Sequence, residues 1–187
     1  MSRILRLHRS RFSRGLEICH GPMARCSSHD HRRRGSKRQF SYRIETTSSG
    51  WGIMAQQTWL AGETVLSAGT ATVLYTRKQP DSHTLQIGPQ LHAVLGLPAR
   101  FLNHSCNANL VVAGAPSFHA LRFVAKRDIA VGEELTFDYE TTEGTMDEPF
   151  QCECGETSCR GMILGFDHRR KEMLEGGTKR WIAPHLI

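Results

Sequence analysis

The sequence predicts a mostly β fold, on three observations. From Phe40 onward, short runs of β-branched and aromatic residues alternate with polar ones and are punctuated by Gly, Pro and Asp. Only one segment, Asp167–Glu175, has the length and end signals of a helix, with Asp167 as the expected N-cap and Gly176-Gly177 as the stop. A strand–turn–strand unit also occurs twice, shifted by 70 residues.

The strands are expected in order. Phe40, Tyr42 and Ile44 alternate with polar residues, as in a half-buried strand. Trp51–Ala55, Thr64–Leu66, Thr72–Tyr75, Thr84–Ile87, Leu110–Val112, His119–Val124 and Glu134–Phe137 follow, with a short helical turn at Pro98–Leu102. The repeated unit aligns Ala55–Glu63 with Ala125–Glu133, each copy a strand, an apolar pair and a Gly-Glu turn before a second strand. Two copies are too few for a solenoid. They suit two small sheets packed around a shared core.

Charge divides the chain. Residues 1–43 carry 12 Lys/Arg against Glu17 and Asp30, and the remainder carries 12 against 16, so a basic tail of net +10 precedes a body of net −4. An acidic body suits a basic peptide better than a nucleic acid. Residues 1–39 contain too little apolar surface to offset their ordering entropy and are expected to be disordered. They read as an Arg-rich organelle transit peptide, as a nuclear address or weak nucleic-acid contact at His31–Arg38, or as a solvated tail. No run of about 18 apolar residues exists, so no membrane span is expected. The six cysteines follow no secretory signal core, which favours a reducing, intracellular setting.

Chemistry-bearing residues fall in three places. Arg100-Phe101-Leu102-Asn103-His104-Ser105-Cys106-Asn107-Ala108-Asn109 runs from apolar into ligand-binding residue types. Glu134-Leu135-Thr136-Phe137-Asp138-Tyr139 ends a strand on a carboxylate and a phenol. Cys152, Cys154 and Cys159 form a C-x-C-x4-C run before Arg160-Gly161, three thiolates where closed structural zinc takes four ligands. Cys106 is the natural fourth. Singly, each has a plainer reading: an Asn/Ser loop, a strand-end Tyr with its hydroxyl at the surface, a core Phe, reduced thiols.

Together and in this order, from about Tyr42 to Gly165, these motifs resemble the SET-domain protein lysine methyltransferases of the short form, with a post-SET zinc motif and no pre-SET region. The resemblance implies several small curled sheets, with the C-terminal segment passing under an earlier loop in a pseudoknot. It implies a SET domain over 40–141, a zinc-bound post-SET segment over 148–165, and a C-terminal helix and tail over 166–187. Transfer of a methyl group from S-adenosylmethionine to a lysine amine is the implied activity. Tyr139 would be the phenol at the transfer site, and Phe137 the residue that sets how many methyls are added. Asn103 and His104 would hold the cofactor, with Gly50-Trp51-Gly52 as the GxG that approaches it and Arg100 as a further contact. A hairpin turn explains the GxG about as well, and a surface ion pair explains Arg100. Cys106, Cys152, Cys154 and Cys159 would hold Zn2+.

Ala108 stands where many members have Pro, the insert between Ile87 and Arg100 is short, and no mid-domain Tyr matches clearly, Tyr75 being nearest. The implied partner is a basic, lysine-containing protein, a histone first and a non-histone protein second, acted on by a monomer in the nucleus or in a mitochondrion or plastid. The rival readings are an idle SET module serving as a binding scaffold and a zinc-stapled nucleic-acid binder.

Overall fold

In the computed structural model, residues 40–68, 84–113 and 121–187 are described. They lie in the unit Arg38–Ile187. The expected strand Thr72–Tyr75 and every reading of the basic tail lie outside the described residues.

The fold is mostly β, built, among the described residues, from small sheets and one α-helix. Strands β1 (Tyr42–Thr47) and β2 (Gly50–Ala55) make an antiparallel hairpin in which Thr47 faces Gly50. A five-stranded sheet takes β3 (Thr64–Ala68), β6 (Asn103–His104), β7 (Leu110–Ala113), β8 (Leu121–Ala125) and β9 (Thr136–Phe137) in the order β3-β8-β7-β9-β6. Strands β4 (Thr84–Gly88) and β5 (Leu91–Val94) form a second hairpin, and β10 (Phe150–Gln151) pairs with β11 (Met162–Ile163). Helix α1 spans Phe166–Glu175.

Strand β9 lies between β6 and β7 and runs parallel to both. The five-residue connection from Ser105 to Asn109 therefore crosses it. Asn109 secures the crossing, donating to the Glu134 carbonyl at 2.8 Å and accepting the Thr136 amide at 3.0 Å. Chains rarely thread in this way. Here the threading brings the Asn-His loop and the Asp-Tyr strand side by side.

The two copies of the repeated unit pair with each other. Trp59 and Ile129 exchange both backbone bonds, at 2.9 and 2.8 Å. Gly62 donates to the Ala125 carbonyl and Gly132 to the Ala55 carbonyl, both at 2.8 Å, and Ala125 and Ala55 donate to Glu63 and Glu133 carbonyls at 2.9 Å. In each turn the Glu carboxylate accepts an amide three residues back, Glu63 from Leu60 and Glu133 from Ala130. Gly62 and Gly132 have φ of +90° and +86°, a region that glycine enters without a Cβ penalty. The repeat is thus a local two-fold pair joining β2–β3 to β8–β9.

The core follows the pleat. Ile53, Leu85, Leu110, Phe123, Ile129 and Leu135 are essentially inaccessible and form one cluster with Phe137 and Leu102. A smaller cluster of Phe166, Met173, Ile182 and Leu186 seats α1.

Several expectations are corrected. Phe40 precedes β1 and is 74% exposed, and Ile44 is also exposed, because among the described residues β1 is an edge strand paired with β2 alone. Only Thr136–Phe137 of Glu134–Phe137 is regular strand; Glu134 makes an isolated bridge to Met54. The helix begins one residue earlier than expected, with Gly165 and not Asp167 at its N-cap. Its first amides need no side-chain cap, because Phe166 and Asp167 donate to the carbonyls of Glu143 and Gly144 at 2.8 and 2.9 Å. Strand β5 was not expected at all.

Candidate active site

A cavity of about 490 Å³ is lined by Arg100, Leu102, Asn103, His104, Phe137, Tyr139 and Phe150, among others. That volume suits a cofactor-sized molecule. Glu143, Asp147, Glu148 and Glu153 also line it, so its charged side chains are mostly acidic.

Tyr139 begins the 3-10 turn that ends β9, and its hydroxyl donates to the Leu102 carbonyl at 2.8 Å. With the proton so used, the oxygen lone pairs remain. Burial, and the carboxylates of Glu134 and Glu143, push the phenol pKa up, so Tyr139 is neutral near pH 7. Its ring sits among His104, Phe137 and Phe150, with centroids 5.2, 4.7 and 6.0 Å away. Phe137 is shared between the cavity wall and the core, where it meets Phe123 at 5.4 Å.

Asn103 sends its carboxamide nitrogen to the Trp51 carbonyl at 3.1 Å and to Glu134 at 2.7 Å. The structure thereby joins Gly50-Trp51-Gly52 to Asn103, yet these three residues do not line the cavity as Asn103 does. Trp51 is 60% exposed. A Cβ on Gly52 would collide with Glu134 and Thr47, so that glycine answers to protein packing. Arg100 is exposed on its 3-10 turn and lines the cavity.

His104 is buried, and burial lowers its pKa to about 4; the Asp138 carboxylate opposes that fall and the charge of Arg160 adds to it. The neutral ring accepts the Tyr139 amide at Nδ1, at 3.2 Å. Its Nε2 proton then points at Cys106 Sγ, 3.4 Å away.

Cys106, Cys152, Cys154 and Cys159 converge, with all four Sγ atoms within 4.8 Å of one another. A tetrahedral zinc with Zn–S of about 2.3 Å needs S···S edges of about 3.8 Å. Cys106 and Cys152 are 3.8 Å apart. Burial pushes both of these thiols up, so as thiolates they require a cation among them. Four cysteines at this spacing fit zinc.

The sequence reading missed a buried charge network. Glu140 is fully buried, Asp138 nearly so, and Arg160 and Arg169 cover them. Taking such ions out of water costs roughly several kcal/mol each unless they are paired. Two carboxylates against two guanidiniums supply that pairing. The available signals were an Asp-Tyr-Glu run that leaves a strand and an Arg directly after the last cysteine.

Residues 50–140 match the SET domain family model. A methyltransferase, flvH, of Aspergillus flavus is 35% identical over 103 residues, covering 55% of this chain and 55% of that protein. The H3 lysine-9 specific histone-lysine N-methyltransferase KMT1 of Fusarium mangiferae is 38% identical over 103 residues, covering 45% of this chain and 30% of that protein. This chain thus spans about half of the first relative and under a third of the second. Among solved structures, KRYPTONITE in complex with mCHH DNA, an H3(1–15) peptide and SAH superposes with a TM-score of 0.53 at 22% identity, over 67% of this chain and 30% of that one. That likeness is one of fold. The matched segment contains Asn103, His104, Phe137 and Tyr139, whereas three of the four clustered cysteines and both network arginines follow it in sequence.

Proposed function

We propose that the chain is an S-adenosylmethionine-dependent protein-lysine N-methyltransferase, with a histone lysine as first substrate and a non-histone protein as the alternative. One observation carries the reading: Asn103, His104, Phe137 and Tyr139 line one cavity, whose charged groups are mostly acidic, and Cys152 and Cys154 of the four-cysteine cluster line it too. The SET family match and the methyltransferase names of the relatives support it.

S-adenosylmethionine would supply a sulfonium methyl, whose carbon–sulfur bond breaks as a nitrogen–carbon bond forms. The protein has to bind, align and keep the amine neutral. A lysine amine is protonated in water, with a pKa near 10.4, and desolvation lowers it. His104, Phe137, Phe150 and Leu102 supply an apolar wall for that purpose. Tyr139, its proton given to Leu102, keeps lone pairs for an amine proton or a polarised methyl. Asn103 spends its amide nitrogen on Trp51 and Glu134, leaving its carbonyl oxygen for a ligand amine. Phe137 adds no hydroxyl to the cavity, consistent with more than one methyl transfer. The exposed acids Asp147, Glu148 and Glu153 favour a cationic peptide.

Zinc, when bound to Cys106, Cys152, Cys154 and Cys159, would act structurally, joining the cysteine segment to the Asn-His loop. The relatives' histone-directed names support a nuclear, chromatin setting.

The test is incubation with methyl-labelled S-adenosylmethionine and a panel of core histones, other basic proteins and organelle extract. Label on a lysine, resolved by mass as one to three methyls, is the expected result. Cofactor binding without transfer to any lysine would favour the idle scaffold.

A further inference from the structure

Tyr139 is flanked in sequence by two buried carboxylates, and one guanidinium reaches both, hydrogen-bonding Asp138 and lying within ion-pair distance of Glu140. Arg160 donates through Nη1 to Asp138 Oδ2 at 2.9 Å and through Nη2 to Asp138 Oδ1 at 2.5 Å, while its Nε lies 3.1 Å from Glu140 Oε2. The same residue's backbone amide donates to Cys106 Sγ at 3.3 Å. Arg169, from α1, closes the arrangement, with Nε 3.4 Å from Glu140 Oε2 and Nη2 on the carbonyls of Arg160 and Met162 at 2.9 and 3.0 Å. Glu140 Oε1 accepts the amides of Leu164 and Gly165 at 3.1 and 3.2 Å.

Surface ion pairs contribute little, but these groups are 0–21% exposed at their side chains and cannot be satisfied by water. Removing one guanidinium leaves an uncompensated buried carboxylate beside Tyr139. The bidentate fork on Asp138 also has a fixed geometry that a lysine cannot copy. Thus the backbone on both sides of the phenol is fixed from the cysteine segment, by a residue adjacent to Cys159.

We propose that Arg160 is a positioning residue for Tyr139: it clamps Asp138 and Glu140, so that seating of the cysteine segment and placement of the phenol are a single event. The consequence for methyl transfer rests on the function proposed above; the clamp itself does not. Misplacement of an aligned group by an ångström can lower a rate by about 100-fold.

The test uses the full chain labelled with 3-fluorotyrosine. The three tyrosines, Tyr42, Tyr75 and Tyr139, give three fluorine resonances, and Tyr139→Phe assigns one of them. In Arg160→Ala the Tyr139 resonance is expected to shift or broaden while that of Tyr42 stays and zinc remains at about one per chain. Methylguanidinium at millimolar levels should restore the resonance, and restore a transfer rate lowered about 10- to 100-fold with cofactor affinity unchanged. Arg160→Lys keeps the charge and loses the fork; it should show the same displacement of Tyr139 and decides the matter if Arg160→Ala does not fold. An unmoved Tyr139 resonance in a folded, zinc-loaded variant overturns the proposal, as does a displacement shared by Tyr42 or one that methylguanidinium fails to reverse. Absence of transfer in the wild type, with the clamp behaving as stated, would overturn the methyltransferase reading alone.

Discussion

His104 and Cys106 are joined through Nε2 and Sγ at 3.4 Å, so the loop that lines the cavity is also the loop that enters the cysteine cluster. The tautomer is set from the other side of the ring, where the Tyr139 amide donates to Nδ1. Metal loading and cavity shape should therefore change together. The purified protein is expected to hold about one zinc, as measured by elemental analysis. Cys106→Ser should lower both zinc content and S-adenosylmethionine binding, the second by calorimetry. Full cofactor affinity in a zinc-free Cys106→Ser protein would separate two sites that the structure connects.

Phe137 contacts Tyr139 at 4.7 Å and lines the cavity. Phe137→Tyr introduces a hydroxyl that can accept or donate near the amine. The first methyl transfer should persist while the second and third fall by about tenfold or more, a barrier of about 1.4 kcal/mol each. Mass-resolved products check this. An unchanged product distribution would assign Phe137 to the core only.

Three glycines should separate by environment. Gly62 and Gly132 have positive φ, but a Cβ there meets nothing within 4 Å. Replacement by Ala should cost about 1–2 kcal/mol at each, and Asn should be better tolerated. Gly165 has φ +108°, and a Cβ there would lie 2.6 Å from the Gly144 carbonyl oxygen and 2.7 Å from Thr145 Cα. Gly165→Ala should cost about 3 kcal/mol or more, lowering Tm by about 6–12 °C, with no relief from Asn. Equal Tm losses at all three positions would show that conformation alone, and not the close approach at Gly165, sets the cost.

Burial of Glu140 should make it more sensitive than any surface acid. Glu140→Gln keeps the shape and the acceptor oxygen for Leu164 and Gly165, yet leaves Arg160 with Asp138 alone and takes from Arg169 its buried carboxylate partner. A loss of about 3–5 kcal/mol is expected from breaking one side of a buried pair. Asp147→Asn, at an exposed position, should leave chemical-denaturation stability within about 0.5 kcal/mol of wild type. Comparable effects of the two would show that the Glu140 charge is not confined as the structure has it.

What could be read from sequence was whatever repeats or alternates. Period-two runs located β2, β4, β7 and β8 to within a residue or two, and the 70-residue echo anticipated a pairing that the backbone bonds of Trp59 and Ile129 display. Strand β5 was missed because the Pro89-Gln90 turn carries none of the usual hairpin signals and Leu91–Val94 is only four residues long. The N-cap was misplaced because Asp167 is a good capping residue by type, whereas the helix start is held by carbonyls 20 or more residues away in sequence. The pairing of Glu140 with Arg160 and Arg169 is hidden for the same reason. Their meaning lies in a convergence of three segments that local pattern does not encode.

In the proposed mechanism Tyr139 acts at the reacting atoms. Tyr139→Phe removes one hydroxyl and its bond to the Leu102 carbonyl while keeping the ring contacts with His104, Phe137 and Phe150. Folding, zinc content and cofactor affinity should survive. Single-turnover transfer from S-adenosylmethionine to a histone lysine should slow by roughly 100-fold or more, because the hydroxyl matters chiefly in the transition state. A Tyr139→Phe protein that transfers methyl at the wild-type rate would remove the phenol from the mechanism.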